Sequence, residues 1–478
     1  MDIYCVGIKG TGVCALAELL HGEGFTIRGS DCGDVFYTDA ILKELGIPYH
    51  ESFSAEHIDA GIKTVIYSAA YSPETNPELA EARRLGIPLL KYTDALGEYS
   101  ARFDSSGIAG VHGKTTTAAL AGTLIRGAGL PARILAGSAV SGFGGRSTLS
   151  LGGKYFIAET CEYRRHFLAF HPRRIVLTSV ESDHQDYYPD YGAIRDAFLE
   201  YAGKLPSGGE LIYCADNPGA KEVALAARRA AEKAGKALSL TPYGFGAEGP
   251  FRIENYRVSG GRILFTLPLF PEGLRLRVPG KHLAQDAAAA LALVSSLVRA
   301  EFGEGGWTGG RREAVRSALE DFRGSKRRCE ITGESGGIIF MDDYGHHPTA
   351  LSSTLSGLRE FYPERRIIVS FMSHTYTRTA ALLDEFAASF KDADIVFLHK
   401  IYGSARETYT GGVNGRTLYE KVKALRGNVY YTEEPEDAAE MLTQTLRPGD
   451  LFITMGAGDN WKLGKKLLGR YEPERARQ

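Results

Sequence analysis

Short apolar runs punctuate the chain: "IYCVGI" from residue 3, "TVIYSA" from 64, "RIVLTSV" from 174, "RIIVSF" from 366, "DIVFLH" from 394 and "LFITMG" from 451. Longer amphipathic stretches separate them. Apolar runs of this length, bounded by turn residues, predict strands buried on both faces. Their alternation with helical patterns predicts βαβ units around parallel sheets, an α/β fold. The chain opens with a predicted strand at 3–6, a helix at 15–20 and a second strand at 26–28.

Three blocks separate along the pattern: 1–102, 103–328 and 329–478. A chain of 478 residues is too long for a single core, so several domains are expected. The glycine-rich "EFGEGGWTGGRR" from residue 301 is expected to be an exposed loop. The charged end "YEPERARQ" is expected to fray.

Composition removes some function classes. Hydrophobic residues make up 44% and charged residues 24%, and the net charge is −2. That balance gives no electrostatic reason for a nucleic-acid or anionic-membrane partner. The cysteines at 5, 14, 32, 161, 214 and 329 are scattered without a C-x-x-C pair. Reduced thiols are expected rather than a disulfide framework or a zinc site. "MDIYCVGIKG" has no signal-peptide pattern, and no apolar run was expected to approach a membrane span. The reading is a soluble cytoplasmic protein with no membrane insertion.

Two glycine loops follow predicted strands. Gly10-x-Gly12-x-x-Ala15 fits a dinucleotide-binding fingerprint, with Asp31 about twenty positions on. The alternative is a tight turn with no ligand. "GIAGVHGKTTTAALAGTLI" resembles the phosphate loop G-x-x-x-x-G-K-[ST], but Ile108 stands where the first glycine belongs. Lys114 is placed to reach phosphates and Thr115 to bind Mg²⁺, or the stretch is an ordinary β–α turn.

Acidic and histidine residues gather at other strand ends. Glu159 follows a predicted strand at 155–158, as a metal ligand or as a solvated terminus. Glu181, Asp183 and His184 follow a predicted strand at 174–180, as metal ligands or as a helix cap and a surface histidine. "MDDYGHHPT" places Asp342, Asp343, His346 and His347 after an apolar run. Zinc ranks low there, because adjacent histidines point apart and no third cluster has metal spacing. His374 and Arg378 sit at a strand-to-helix junction, where they can grip a carboxylate or phosphate.

"GVHGKTTT", "AETCEYRRHF", "DDYGHHPT", "SHTYTRT" and "TMGAGDNWKLG" stand in one order, and together they resemble the Mur ligases, a likeness running from about residue 3 to about 466. It is narrowest toward the branch that adds L-alanine to UDP-N-acetylmuramate. The family's loop, G-[TV]-H-G-K-T-T-T, does without the first glycine. The resemblance implies three domains: a Rossmann-like one for the UDP sugar, a central P-loop ATPase-like one, and a Rossmann-like C-terminal one for the amino acid. It implies ATP and Mg²⁺, an acyl phosphate on the lactyl carboxylate, attack by the amine of L-alanine, and a role in peptidoglycan precursor synthesis.

Carried over residue by residue, the resemblance assigns the nucleotide to Gly110, Val111, His112, Gly113, Lys114, Thr115, Thr116, Asp286, Arg328 and Asp343. It assigns the UDP sugar to Gly10, Thr11, Gly12, Ser30, Asp31 and Ser68, and the metal to Thr115, Glu159 and His184. The amino acid and acyl phosphate go to Tyr344, His346, His374 and Arg378. Lys114, His184, His346, His374 and Arg378 are the catalytic candidates, in a monomer or weak homodimer. Four positions depart from the family: Asp286 replaces the asparagine that meets adenine, Ser179 the asparagine of "TN", Ser373 the proline of "FQPH", and Thr375 an arginine. Competing readings are a sister ligase adding a preformed peptide, a nucleotide-dependent dehydrogenase, and an inactive ATP-gated binding protein. "AETCEY" and "GSARE" favour the alanine branch.

Overall fold

A computed structural model describes residues 2–403 and 407–471. Residues 404–406 of "GSARE" and the charged end after Tyr471 lie outside the described residues. The chain divides into two compact units. The first comprises residues 1–180, 195–243 and 289–318; the second comprises 181–194, 244–288 and 319–478.

The first unit holds two sheets. One has five parallel strands in the spatial order Tyr49–His50, Thr26–Ser30, Asp2–Val6, Thr64–Tyr67, Leu89–Lys91. Chain order reverses between Asp2–Val6 and Thr64–Tyr67, and ligands of open α/β sheets bind at the carboxyl ends of such a pair. The other sheet has seven strands: Leu238–Tyr243, Gly209–Cys214, Arg174–Leu177, Asp104–Ala109, Tyr155–Glu159, Ala132–Val140 and Arg146–Ser150. Only the last pair is antiparallel.

The second unit contains the antiparallel trio Glu254–Ser259, Arg262–Leu267 and Phe270–Leu276. It also contains a six-stranded sheet ordered Glu330–Ser335, Ile338–Asp343, Leu451–Gly456, Ile367–Met372, Ile395–Leu398, Val429–Tyr431. Its core packs Phe340, Ile368, Phe397 and Phe452 against Leu463 and Leu467 of the helix Trp461–Tyr471. Each such side chain contributes about 1.5–3 kcal/mol when fully buried.

All six apolar runs contain a strand. Two expectations change. The glycine-rich segment is not simply a loop, because the helix Gly309–Glu320 starts inside it. One helix, Lys281–Phe302, is long and apolar enough to cross a membrane by length and composition, but most of it is buried inside the protein, as a core helix would be. The six cysteines are free; four are buried, Cys32 is half-buried and Cys161 is exposed.

Candidate active site

The central strand Asp104–Ala109 leads through Gly110 to Gly113 into the helix Lys114–Ala128. Gly110 has φ 141° and Gly113 φ 79°, conformations that suit glycine. A Cβ on Gly110 would lie 2.0 Å from Oγ1 of Thr178. Ser179 clamps the loop: its Oγ accepts from the His112 amide at 2.9 Å, and its carbonyl accepts from the Val111 amide at 3.0 Å. The departure from asparagine at 179 thus leaves the loop braced. The helix has no acidic residue in its first turn. The amides there lack intrahelical partners and favour an anion.

The metal candidates of this unit meet. Thr115 Oγ1 donates to Glu159 Oε2 at 2.7 Å. They are distant in sequence, but Tyr155–Glu159 pairs beside Asp104–Ala109 with Glu159 opposite Ile108. A hydroxyl and a carboxylate are the hard oxygen donors that Mg²⁺ takes. Lys114 lies 2.9 Å from Glu162 and also donates to the carbonyls of Gly110 and Val111. Burial pulls the lysine pKa down, but Glu162, then Cys161 and Glu159, outweigh it, so the ammonium is held more firmly than usual.

Gly10, Thr11, Gly12 and Ser68 line one cleft of about 350 Å³ together with Tyr92, Glu159, His166 and Phe167. Gly12 is needed by space, since its Cβ would fall 2.7 Å from Cζ of Tyr92. The helix behind this loop, Thr11–His21, also starts without an acidic residue. Ser30 and Asp31 are not among the residues that line this cleft. Ser30 Oγ donates to Glu78 at 2.5 Å. Asp31 accepts from the Lys9 amide at 2.7 Å and from the Tyr71 hydroxyl at 3.2 Å. Both are buried and brace the glycine loop.

In the second unit a polar cluster forms beyond the strands Ile338–Asp343 and Ile367–Met372, which flank Leu451–Gly456. The His346 ring lies 5.5 Å from that of His374 and 5.0 Å from that of Tyr344. Arg378 is buried; its Nε donates to Asp183 Oδ1 at 2.7 Å and its Nη1 to the His374 carbonyl at 3.1 Å. The same Asp183 oxygen accepts from the His184 amide at 2.6 Å. Burial would raise the Asp183 pKa, but Arg378, then His184 and His347, hold it well below the usual carboxylate range. Burial and then the Arg378 guanidinium push His346 well below an ordinary histidine, so its imidazole is neutral. Asp183 is not a helix cap, because Asp190 serves the helix Tyr191–Gly203 by accepting from the Ala193 amide at 2.8 Å.

Thr375 has φ 67°, strained for a β-branched residue. Ser373 shares a hydrogen bond of 2.6 Å with Thr379. Asp343 accepts from the amides of Cys329 at 2.8 Å and Gly345 at 2.7 Å. Burial raises its pKa against the pull of Arg328 and those amides. The Arg328 guanidinium sits 5.3 Å over the Tyr344 ring. Asp286 is buried in the second turn of Lys281–Phe302.

Thr115 and Glu159 belong to the first unit and His184 to the second. Sequence reasoning assigned no role to Glu162, Tyr92 or Arg327, which binds Asp342 at 2.7 Å and the Gly456 carbonyl at 2.8 Å. For Glu162 the signal was a second carboxylate three residues after Glu159; for Tyr92 there was none.

The chain matches the Mur ligase family catalytic domain over residues 2–104, the Mur ligase middle domain over 108–294, and the Mur ligase glutamate ligase domain over 327–458. The chain belongs to the Mur ligase family. It is 51% identical to the UDP-N-acetylmuramate–L-alanine ligase of Treponema pallidum over 99% of this chain and 97% of that one. Among solved structures it resembles a UDP-N-acetylmuramate–alanine ligase from Thermotoga maritima, with a TM-score of 0.77, 22% identity and 100% of both chains covered. A MurF ligase from the same organism, in complex with ADP, matches with a TM-score of 0.61 and 15% identity, covering 93% of this chain and 96% of that one. These likenesses establish the three-domain α/β fold.

Proposed function

We propose that this Mur ligase joins L-alanine to the lactyl carboxylate of UDP-N-acetylmuramate with ATP, through an acyl phosphate, in cytoplasmic peptidoglycan precursor synthesis. The observation that carries the reading is one continuous arrangement in the first unit. The Thr115–Glu159 oxygens and the Lys114 loop adjoin a cleft that also holds Gly10, Thr11, Gly12 and Ser68. The near full-length identity to the Treponema pallidum ligase supports the choice of substrates.

The site assignments follow from this reading. Residues 110–116 cradle the phosphates of ATP, with Asp286, Arg328 and Asp343 serving its base and ribose side. Mg²⁺ sits on Thr115 and Glu159, with His184 for a second ion. When bound, ATP and the metal supply phosphoryl transfer with its charge neutralised. Lys114 and the helix amides stabilise phosphate charge at fixed positions. Neutral His346, with His374 beside it, is suited to accept a proton from an attacking amine. Asp183 fixes Arg378, which meets the amino acid's carboxylate. Ser68 and the Gly10–Gly12 loop hold the diphosphate; Ser30 and Asp31 act behind them as braces. The domain boundaries of this reading are 1–102, 103–328 and 329–478, in a monomer or weak homodimer.

Carboxylate activation leaves an isotopic mark. With ¹⁸O in the lactyl carboxylate, one labelled oxygen should appear in the released phosphate. Unlabelled phosphate would contradict the acyl-phosphate route.

A further inference from the structure

Lys114 is fully engaged with groups of the protein itself. Its ammonium has three hydrogens. They are directed at the carbonyls of Gly110 and Val111 and at Glu162, whose carboxylate oxygens lie 2.9 and 3.1 Å away. The pair is largely out of water, with 12% of the lysine side chain and 2% of the glutamate exposed. Glu159, already bonded to Thr115, is the next carboxylate to the lysine.

A phosphate that takes Lys114 must share it with Glu162 or displace that carboxylate. Displacement takes the ammonium away from a buried carboxylate that stands near Glu159 and the incoming negative charge. Stripping one partner from a buried ion pair is strongly unfavourable. A divalent cation on the Thr115 and Glu159 oxygens offsets this charge.

We propose that Glu162 makes nucleotide binding conditional on the metal, opposing the metal-free nucleotide while tolerating its metal complex. The inference rests on reading residues 110–116 as the nucleotide loop. Glu162 is here a positioning residue that acts through Lys114. Its side chain has to be neither a metal ligand nor a phosphate contact.

The test is the affinity for ADP, measured by titration calorimetry on the full chain in EDTA and in saturating Mg²⁺. Glu162→Gln keeps the volume and an acceptor oxygen for Lys114 but drops the charge. Metal-free ADP should bind this variant about tenfold more tightly than wild type, while affinity with Mg²⁺ stays within about threefold. Glu162→Asp keeps the charge and should keep the wild-type ratio of the two affinities. Where the glutamine variant fails to fold, Glu162→Ala should show the same narrowed ratio. An unchanged ratio in the neutral variants overturns the proposal. Equal weakening with and without Mg²⁺ also overturns it, because Glu162 would then only brace the loop. Wild type that binds ADP in neither condition removes the nucleotide reading itself, and this inference with it.

Discussion

A methyl group on Gly137 would sit 2.1 Å from Glu159 Oε2, the oxygen that Thr115 holds at 2.7 Å. Gly137→Ala must therefore turn the carboxylate away from Thr115. The expected outcome is an Mg²⁺ requirement raised about tenfold, read from activity against Mg²⁺ concentration, with the fold intact by circular dichroism. Glu159→Ala removes the carboxylate altogether, and turnover should fall about a thousandfold or more. Near-normal turnover at saturating Mg²⁺ would remove Glu159 from the metal site. On the proposed reading Asp286 takes the place of an asparagine that meets adenine, and an ionised aspartate cannot donate to the ring. The missing donor costs about 1–3 kcal/mol. Asp286→Asn should thus lower KM for ATP with little change in kcat. An unchanged or higher KM would leave Asp286 an acidic residue near a helix start, favoured by the dipole. The Lys114 and Thr115 positions were legible because their spacing is set by backbone geometry. The contacts of Ser30 with Glu78 and of Asp31 with Lys9 and Tyr71 were not legible, because the fingerprint shows which residues are near a loop, not which way they face.

At the scale of elements, the apolar runs marked strands because parallel strands buried on both faces leave few polar positions. The helix Gly309–Glu320 escaped notice because its two leading glycines occupy the first turn, where the cost is smaller than in the interior, while "RREAVRSALE" favours helix. Periodicity also could not show that Glu330–Ser335 runs antiparallel to its neighbour. The strand end at His399 gives a prediction. His399 Nε2 is 2.8 Å from Ser370 Oγ on the adjacent strand, and Nδ1 is 3.0 Å from Thr432 Oγ1. Burial pushes its pKa from 6.5 down to about 4. The unfolded chain therefore takes the proton first, and stability is lost as pH falls through that window. His399→Gln should lower the melting temperature at pH 7. The gap to wild type should narrow toward pH 4.5, since the variant has no such proton to refuse. A gap that widens on acidification would mean that the buried imidazole is charged in the folded protein.

At the scale of the whole molecule, the candidate site residues are divided between two compact units, one carrying the glycine–lysine loop and the cleft, the other the His346–His374–Arg378 cluster. The order of the motifs made the family legible from sequence. The choice of amine was less so, because on the proposed reading it rests on the cluster around Arg378, whose partner Asp183 lies 195 positions away. No local pattern reports such a contact. The deciding measurement is amine-dependent ADP release by the purified full chain with ATP, Mg²⁺ and UDP-N-acetylmuramate. The account predicts release with L-alanine, matched mole for mole by UDP-N-acetylmuramoyl-L-alanine, and little with a preformed tripeptide. Release with the tripeptide but not with L-alanine, or no release with either, would contradict it.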